Sequence, residues 1–429
     1  MLAGRSGGTA AVPDPRLAGR ESPYPNIGRM ADPRTDAAFL TRNAAAAQPA
    51  GALEARLTEA AKEGRPLRVK LGIDPTAPDV HLGHVVVLQK LREFQDLGHR
   101  VVLIIGDYTA RVGDPSGRSA TRPVLTADEI DANARTYQEQ ALKVLRDEPE
   151  LLEIRRNGEW LDMGMDAFLL LARIPKVAQL LERDDFQKRY AGGVPISLLE
   201  FVYPLLQGYD SVAIDSDVEI GGTDQTFNLL FGRDVQRAEG RPEQSVMTMP
   251  LLVGTDGEKK MSKSLGNHVG ITEPAEEVFG RTMRIPDELI DPWADLLGVD
   301  LGQEPATDPR GRKRALARAL CDRFAGEGEG ARAQGAFDRL FKDREIPEDV
   351  PQHLIPADGE VHLPAVLAEA FGVSRSEARR AITQGGVKVD GRPWPQDRLD
   401  AETTELVDAV LQLGKRRFTR LVTGVAEPS

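Results

Sequence analysis

The chain has 429 residues, too many for one ordinary core, so two or three domains are expected. Its 41% hydrophobic and 28% charged content is that of a soluble globular protein; one cysteine, Cys321, excludes an internal disulfide and a cysteine-rich zinc site, as suits a reducing cytoplasm. A net charge of −12 argues against indiscriminate nucleic-acid binding, so an RNA partner needs a local basic patch, and no apolar run approaches the roughly 20 residues that span a bilayer.

Residues 1–34 are rich in Gly, Pro, Arg and Ala and lack apolar periodicity or an apolar h-region, which predicts a disordered extension rather than a secretory signal. From Leu67 the pattern becomes α/β: a strand over Leu67–Ile73, a Pro-containing loop over Asp74–Val80, a helix over His84–Leu97 ending at Gly98, and a buried strand over Arg100–Ile105. Strand, helix, strand in this order predicts a parallel sheet with right-handed crossovers, whose ligands gather at the carboxyl ends of the strands. His81-Leu82-Gly83-His84 and Gly113-Asp114-Pro115-Ser116-Gly117 both fall at such ends. His81 and His84 flank a glycine where a loop enters a helix, a place suited to anions, with Gly83 leaving room for a ligand against the backbone.

Tyr203, Gln207 and Asp210 follow at i, i+4 and i+7, one helix face, among apolar Phe201, Val202, Leu205 and Leu206. That polar row faces a pocket or fills an interdomain seam. Gly221-Gly222-Thr223-Asp224-Gln225 comes after a strand-like Val218–Ile220; Asp224 there accepts from ribose hydroxyls or acts as a plain N-cap. After an expected strand over Met249–Val253 and a turn at Thr255-Asp256-Gly257 comes Lys260-Met261-Ser262-Lys263-Ser264, small and flexible residues around two lysines. A histidine pair alone is a surface feature as readily as a site, and a lysine pair alone reads better as a solvated surface feature. Together and in this order they suit a polyphosphate that gains charge in a transition state, and they point to an ATP-dependent adenylating enzyme.

Beyond residue 272 strand signals fade, and 272–346 reads as helical, with an amphipathic stretch from Arg312 to Phe324. Pro347, Pro351 and Pro356 mark a linker over 347–360, and 361–425 reads as a separate small module. That module holds a capping box, Ser374-Arg375-Ser376-Glu377, opening a helix with Arg379 and Arg380, then a strand-and-turn pattern around Lys388, then basic Lys415, Arg416, Arg417 and Arg420. This is the local positive surface an acidic chain needs to hold RNA.

Over roughly residues 36–425 these ordered motifs resemble the tyrosyl-tRNA synthetases, bacterial class I aminoacyl-tRNA synthetases. The resemblance implies an α/β fold: a Rossmann-type parallel-sheet catalytic domain over 35–271, an α-helical anticodon-binding domain over 272–346 and a small α+β S-four-type RNA-binding domain. It implies L-tyrosine, ATP with Mg²⁺ and tRNA(Tyr) as substrates, no metal site of the protein's own, a cytoplasmic homodimer and no membrane. By position, His81, His84, Thr76, Lys260 and Lys263 would serve the triphosphate, and Gly72, Asp74, Gly83, Gly222 and Asp224 would help to bind ATP. Asp114, Tyr203 and Gln207 would hold the substrate ammonium, Gln225 would lie near its carboxyl end and Asp210 would accept the phenolic hydroxyl. Arg375, Arg379, Arg380, Lys388, Lys415, Arg416 and Arg417 would contact RNA. One position departs from the common pattern: Lys70 stands two residues before Gly72, where the family usually has a tyrosine, as in a second bacterial subtype. Lys70 is expected to donate to the substrate hydroxyl while paired with Asp210. Three rivals remain in view: a tryptophanyl-tRNA synthetase, a silent RNA-binding paralogue and a small nucleotidylyltransferase. The polar row and basic module disfavour the first, the intact histidines and lysines the second, and the lysine loop the third.

Overall fold

The computed structural model describes residues 32–75, 79–115, 126–302, 305, 307–339, 350–414 and 417–423. Thr76, Lys415, Arg416, Ser116, Gly117 and nearly all of the expected N-terminal extension lie outside them. The chain divides into two compact units: Met1–Thr272 with Ile285–Asp300, and Glu273–Arg284 with Leu301–Ser429.

The first unit is built on six strands, β1 (Ala46–Gln48), β2 (Arg68–Ile73), β3 (Arg100–Ile105), β4 (Leu152–Arg156), β5 (Val218–Gly222) and β6 (Ser245–Met249), in spatial order β1-β6-β5-β2-β3-β4. All neighbours pair in parallel except the edge strand β1, which runs antiparallel to β6. β3 carries a run of branched aliphatics, Val101 to Ile105, all buried, as a strand covered on both faces should. Helix α1 (Leu82–Asp96) follows β2 and buries Leu82, Val85, Val86, Leu88, Leu91 and Phe94. It ends before Gly98, whose φ of 83° suits a glycine.

The helices α2 (Met165–Leu171), α3 (Val177–Leu180), α4 (Asp184–Ala191) and α5 (Leu198–Ala213) come just before β5. Helix α6 (Thr226–Ala238) then leads from β5 to β6. Two expectations shift. The strand expected over Met249–Val253 is Ser245–Met249, because Pro250 has no N–H to extend the ladder. The segment 285–300, read as part of a helical domain, packs with the first unit: Trp293, fully buried, donates from Nε1 to Val253 O (3.0 Å).

In the second unit the helices Ala275–Thr282, Pro309–Ala325 and Glu329–Asp338 pack on one another, and Leu316, Leu320, Cys321 and Phe324 of the second are buried. The strands β7 (Gln352–Ile355), β8 (Glu360–His362), β9 (Val387–Val389), β10 (Arg392–Pro393), β11 (Asp400–Glu402), β12 (Val410–Leu413) and β13 (Arg417–Thr423) form a five-stranded sheet β10-β9-β12-β13-β7 and a β11-β8 pair. Helices Leu363–Phe371 and Arg375–Thr383 share a core with them around Leu363, Leu367, Ile382 and Leu411. No helix among the described residues is long and apolar enough to cross a membrane.

Candidate active site

The two motifs that are remote along the chain lie side by side. Leu82 N donates to Val269 O (2.9 Å), Ile271 N donates to Val80 O (3.2 Å), and His81 forms a β-bridge with Gly270. A Cβ added to Gly83 would stand 3.7 Å from Met261 Cβ and 2.9 Å from the His81 ring, so this position has room only for glycine. His81 is the N-cap of α1: its Nδ1 accepts from Gly83 N (3.1 Å), while His84 Nδ1 accepts from His81 N (3.2 Å). With both Nδ1 atoms accepting, a neutral ring carries its proton on Nε2, so each imidazole presents a donor. Burial pushes the His81 imidazolium down to about 3, helped by the neighbouring His84, His268 and Lys263, and pushes His84 down to about 4, helped by Lys263. Both are therefore neutral donors at physiological pH.

The lysine loop is held by an asparagine. Asn267, buried, accepts from Ser262 N at Oδ1 (2.8 Å) and donates from Nδ2 to Asp256 Oδ2 (2.8 Å) and Lys260 O (3.2 Å). Met261 N donates to Leu252 O (2.7 Å), which leaves the flanking lysine side chains outside. Lys260 Nζ lies 3.5 Å from Asp224 Oδ2, and Lys263 is ion-paired with Asp79. The alternative reading of Asp224 as a helix N-cap falls away: Gly222 and Gln225 occupy the N-cap positions, and neither helix start has a side-chain cap.

Tyr203, Gln207 and Asp210 share one face of α5; Tyr203 and Asp210 enter one hydrogen-bonded network, while Gln207 Nε2 donates to Glu219 Oε1 (3.3 Å). Tyr203 OH donates to Asp74 Oδ2 (2.9 Å), Thr109 Oγ1 donates to Asp74 Oδ1 (2.7 Å), and Asn157 Nδ2 donates to Thr109 Oγ1 (2.9 Å) and Asp210 Oδ2 (3.4 Å). Trp160 Nε1 completes the set by donating to Asp210 Oδ1 (2.8 Å). Asp74, expected among the ATP-binding residues, thus gives both carboxylate oxygens to protein donors. Gly106 makes this possible, since a Cβ there would lie 2.2 Å from Asp74 Oδ1. Burial raises Asp210 to about 7, against the lowering effects of Lys70, Trp160 and Asn157. Burial also holds the Tyr203 phenol well above its ordinary range, so it acts as a donor. Gln225 Nε2 donates to Asp114 Oδ2 (2.9 Å), which brings those two expected residues together. Gly72, at the carboxyl end of β2, is exposed with nothing within 4 Å of an added Cβ, so its face of the strand is open to a ligand.

Lys70 is the clear correction. It is fully buried, and its Nζ donates to Gln207 O (2.7 Å) and Ser211 Oγ (2.8 Å) and pairs with Glu219 Oε1 (2.8 Å). Its three N–H groups are all engaged, its ion-pair partner is Glu219, not Asp210, and none is left to donate to a substrate.

Sequence reasoning missed Trp160, Asn157, Thr109, Glu219, Asp79 and Asn267. One signal for Glu219 was available: it is the single charge of β5, an otherwise apolar strand, and β2 and β5 pair in register at Lys70 and Glu219.

In the second unit Ser374 Oγ accepts from Glu377 N (3.1 Å), the forward half of the expected capping box. Arg375, Arg379 and Arg380 are exposed on the helix it opens. Arg380 and Arg417 line one groove with Glu377, Gln384 and Leu413. Lys388 lies within β9, next to β12.

The family model for tRNA synthetases class I (W and Y) matches residues 62–303, and that for the S4 domain matches 362–393. A tyrosine–tRNA ligase of Thermotoga maritima is 49% identical over 384 residues, covering 86% of this chain and 94% of that one. One from Ralstonia nicotianae is 49% identical over 381 residues, covering 86% and 95%. Among solved structures, the C-terminally truncated mitochondrial tyrosyl-tRNA synthetase of Aspergillus nidulans superposes with a TM-score of 0.59 at 20% identity, over 73% of this chain and 95% of that one. The tyrosyl-tRNA synthetase complexed with L-tyrosine from Archaeoglobus fulgidus gives 0.55 at 21% identity, over 70% and 99%. At such identities the structural likeness shows the fold alone.

Proposed function

From the premise that this chain belongs to the class I tRNA synthetases of the tryptophan and tyrosine family, we propose that it joins L-tyrosine to tRNA(Tyr). In the first step an oxygen of the tyrosine carboxylate attacks the α-phosphorus of Mg²⁺-ATP, the Pα–O bond to the β-phosphate breaks and pyrophosphate leaves. The nucleophile is already an anion, so no general base is needed; the work is positioning and charge stabilisation. His81 and His84 donate to phosphate oxygens from Nε2, and Lys260 and Lys263 exchange their carboxylate partners for the developing pyrophosphate charge. Gly222 and Asp224 take the ribose, and Gly72 leaves space for the nucleotide, while Gly83 lets the His81 ring and Met261 pack closely over the start of α1. Thr76 and Mg²⁺, which arrives with ATP as substrate, belong to the same reading. In the second step a 3′-terminal ribose hydroxyl attacks the tyrosyl carbonyl, and AMP leaves.

The observation that carries tyrosine is Asp210: an enclosed carboxylate held by Trp160 and Asn157, on the same helix face as Gln207 and Tyr203. A buried acceptor matched to a phenolic hydroxyl is left unpaired by phenylalanine, and the tyrosyl-tRNA synthetases are a known instance of that rule. Gln207, Asp114 and Tyr203 take the ammonium, and Gln225 lies towards the carboxylate. Lys70 marks the second bacterial subtype, with its role behind the pocket rather than in it. Amino-acid-dependent ATP–pyrophosphate exchange with all twenty amino acids tests the reading: exchange confined to tyrosine supports it, and exchange with tryptophan or with none overturns it.

The chain works as a homodimer in the cytoplasm on this reading. Met165, Leu169, Leu170, Val177, Tyr190 and Leu198 are all more than half exposed within one segment of the first unit. An apolar surface of that density suits an interface, and a second copy related by a two-fold axis is the commonest way to cover it. The exposed arginines of the S4 module, with Lys388, Lys415 and Arg416, supply the positive surface for tRNA.

A further inference from the structure

We propose that Glu219 is a positioning residue that fixes which end of the Gln207 amide faces the substrate ammonium, with Lys70 as its counter-ion. The proposal rests on the reading of Gln207 as an ammonium acceptor given above.

Glu219 is buried to 1% exposure and stands opposite Lys70 in the β2–β5 pairing. Its carboxylate gathers four donors. Lys70 Nζ (2.8 Å) and Gln207 Nε2 (3.3 Å) meet Oε1; Ser211 Oγ (3.2 Å) and Gln244 Nε2 meet Oε2. Ser211 Oγ accepts from Lys70, so its own proton is free to go to Glu219, and the network has one consistent arrangement of hydrogens.

A carboxylate in an ion pair only accepts. It therefore selects the NH₂ end of the Gln207 amide, and the direction of that amide is decided by chemistry. Gln207 Oε1 is then turned away from Glu219, enclosed, and receives no hydrogen bond from the described residues. An enclosed carbonyl oxygen without a donor is costly unless a ligand supplies one, and an ammonium supplies up to three. Lys70 adds a second constraint by donating to the backbone carbonyl of Gln207 itself, which ties this turn of α5 to β2. Glutamine at position 219 would offer an NH₂ as well as a carbonyl, and the direction of the Gln207 amide would no longer be imposed.

The test is a double-mutant cycle on the full-length enzyme in ATP–pyrophosphate exchange, with tyrosine and ATP varied separately and thermal unfolding recorded. Gln207→Ala is expected to raise the KM for tyrosine roughly 10- to 100-fold, the range for a hydrogen bond to a charged group, with the KM for ATP unchanged. Glu219→Gln is expected to raise the KM for tyrosine, again without moving that for ATP, and to add nothing in the Gln207→Ala background. The pair Lys70→Met with Glu219→Gln removes both charges together and gives the same readout should the single variant unfold. A full additional loss from Glu219→Gln in the Gln207→Ala background overturns the proposal. So does an unchanged tyrosine KM in the charge-free pair while Gln207→Ala raises it. If Gln207→Ala itself leaves tyrosine untouched, the ammonium reading fails and the positioning role fails with it.

Discussion

Lys263, in the second motif, is ion-paired with Asp79, which stands two residues before His81 of the first. The partner lysine, Lys260, sits by Asp224 at 3.5 Å. Both loop cations thus rest on carboxylates at the edge of the proposed nucleotide site. Lys263 and Asp79 are 34% and 46% exposed, and pairs in that range contribute about 1 kcal/mol or less, so a triphosphate can displace them.

Replacing Lys263 by alanine removes a charge that counts most in the transition state. The rate of tyrosine-dependent ATP–pyrophosphate exchange should fall about 10²- to 10³-fold, the usual loss for one preorganised stabilising group. Tyrosine affinity, read by equilibrium dialysis, should hardly move. Equal losses in both would count against a transition-state role.

Asp79→Asn frees Lys263 without disturbing the histidines. The KM for ATP is expected to fall by a small factor, about 2- to 5-fold, consistent with a half-exposed pair. A rise in the KM for ATP would instead make Asp79 part of the binding site.

The exposed apolar side chains carried by α2 to α5 give a test of assembly. Leu170→Glu with Leu198→Glu puts two charges on side chains that are 64% and 79% exposed, so a monomer should tolerate them. Sedimentation velocity should show a dimer for the unmodified chain and a monomer for this variant; identical sedimentation would remove the interface from this face.

Much of the frame was legible because its signals are local. The strand Arg100–Ile105 is a run of branched aliphatics between Gly98 and Gly106, and it forms where it was read. The polar row on α5 follows from helical spacing alone. Other parts depend on partners far along the chain. β4 carries Glu153, Arg155 and Arg156, and these charges hide the strand that delivers Asn157 and Trp160 to Asp210. Lys70 was read against the family's tyrosine and assigned to the nearest acid of the pocket row. Its true partner lies 149 positions away, on a strand that pairs with its own. Tertiary pairing decided that residue, and no window of sequence contains it.

Asp210 should make tyrosine recognition pH-dependent. Burial raises its pKa from 3.8 to about 7, so the protonated form is favoured in the fold. Its contribution to stability is full below 3.8 and is lost as the pH rises through about 7. Binding runs the other way, because the carboxylate is the better acceptor for a phenol. The KM for tyrosine should fall roughly ten-fold between pH 6 and 8, and Asp210→Asn should abolish that slope and weaken discrimination against phenylalanine. A flat profile in the unmodified enzyme would show that Asp210 does not receive the hydroxyl.

The histidines predict acid lability of a definite sign. Burial is the main cause that lowers His81 to about 3, and His84 and His99 to about 4, from 6.5. Unfolding lets all three take up protons that the fold refuses, so the stability they confer is complete above pH 6.5 and drains away between there and about pH 4 for His84 and His99, and about pH 3 for His81. Each proton contributes up to about 1.4 kcal/mol per pH unit in that window. Urea unfolding midpoints at pH 7.5, 6 and 5 should therefore decline, and more gently in His99→Gln, which removes one of the three without touching the site. The same neutrality governs catalysis: with both rings uncharged from pH 6 to 8, exchange should show no step near 6.5 that His84→Gln removes. Such a step would mean that an imidazolium, not a neutral Nε2–H donor, meets the phosphates.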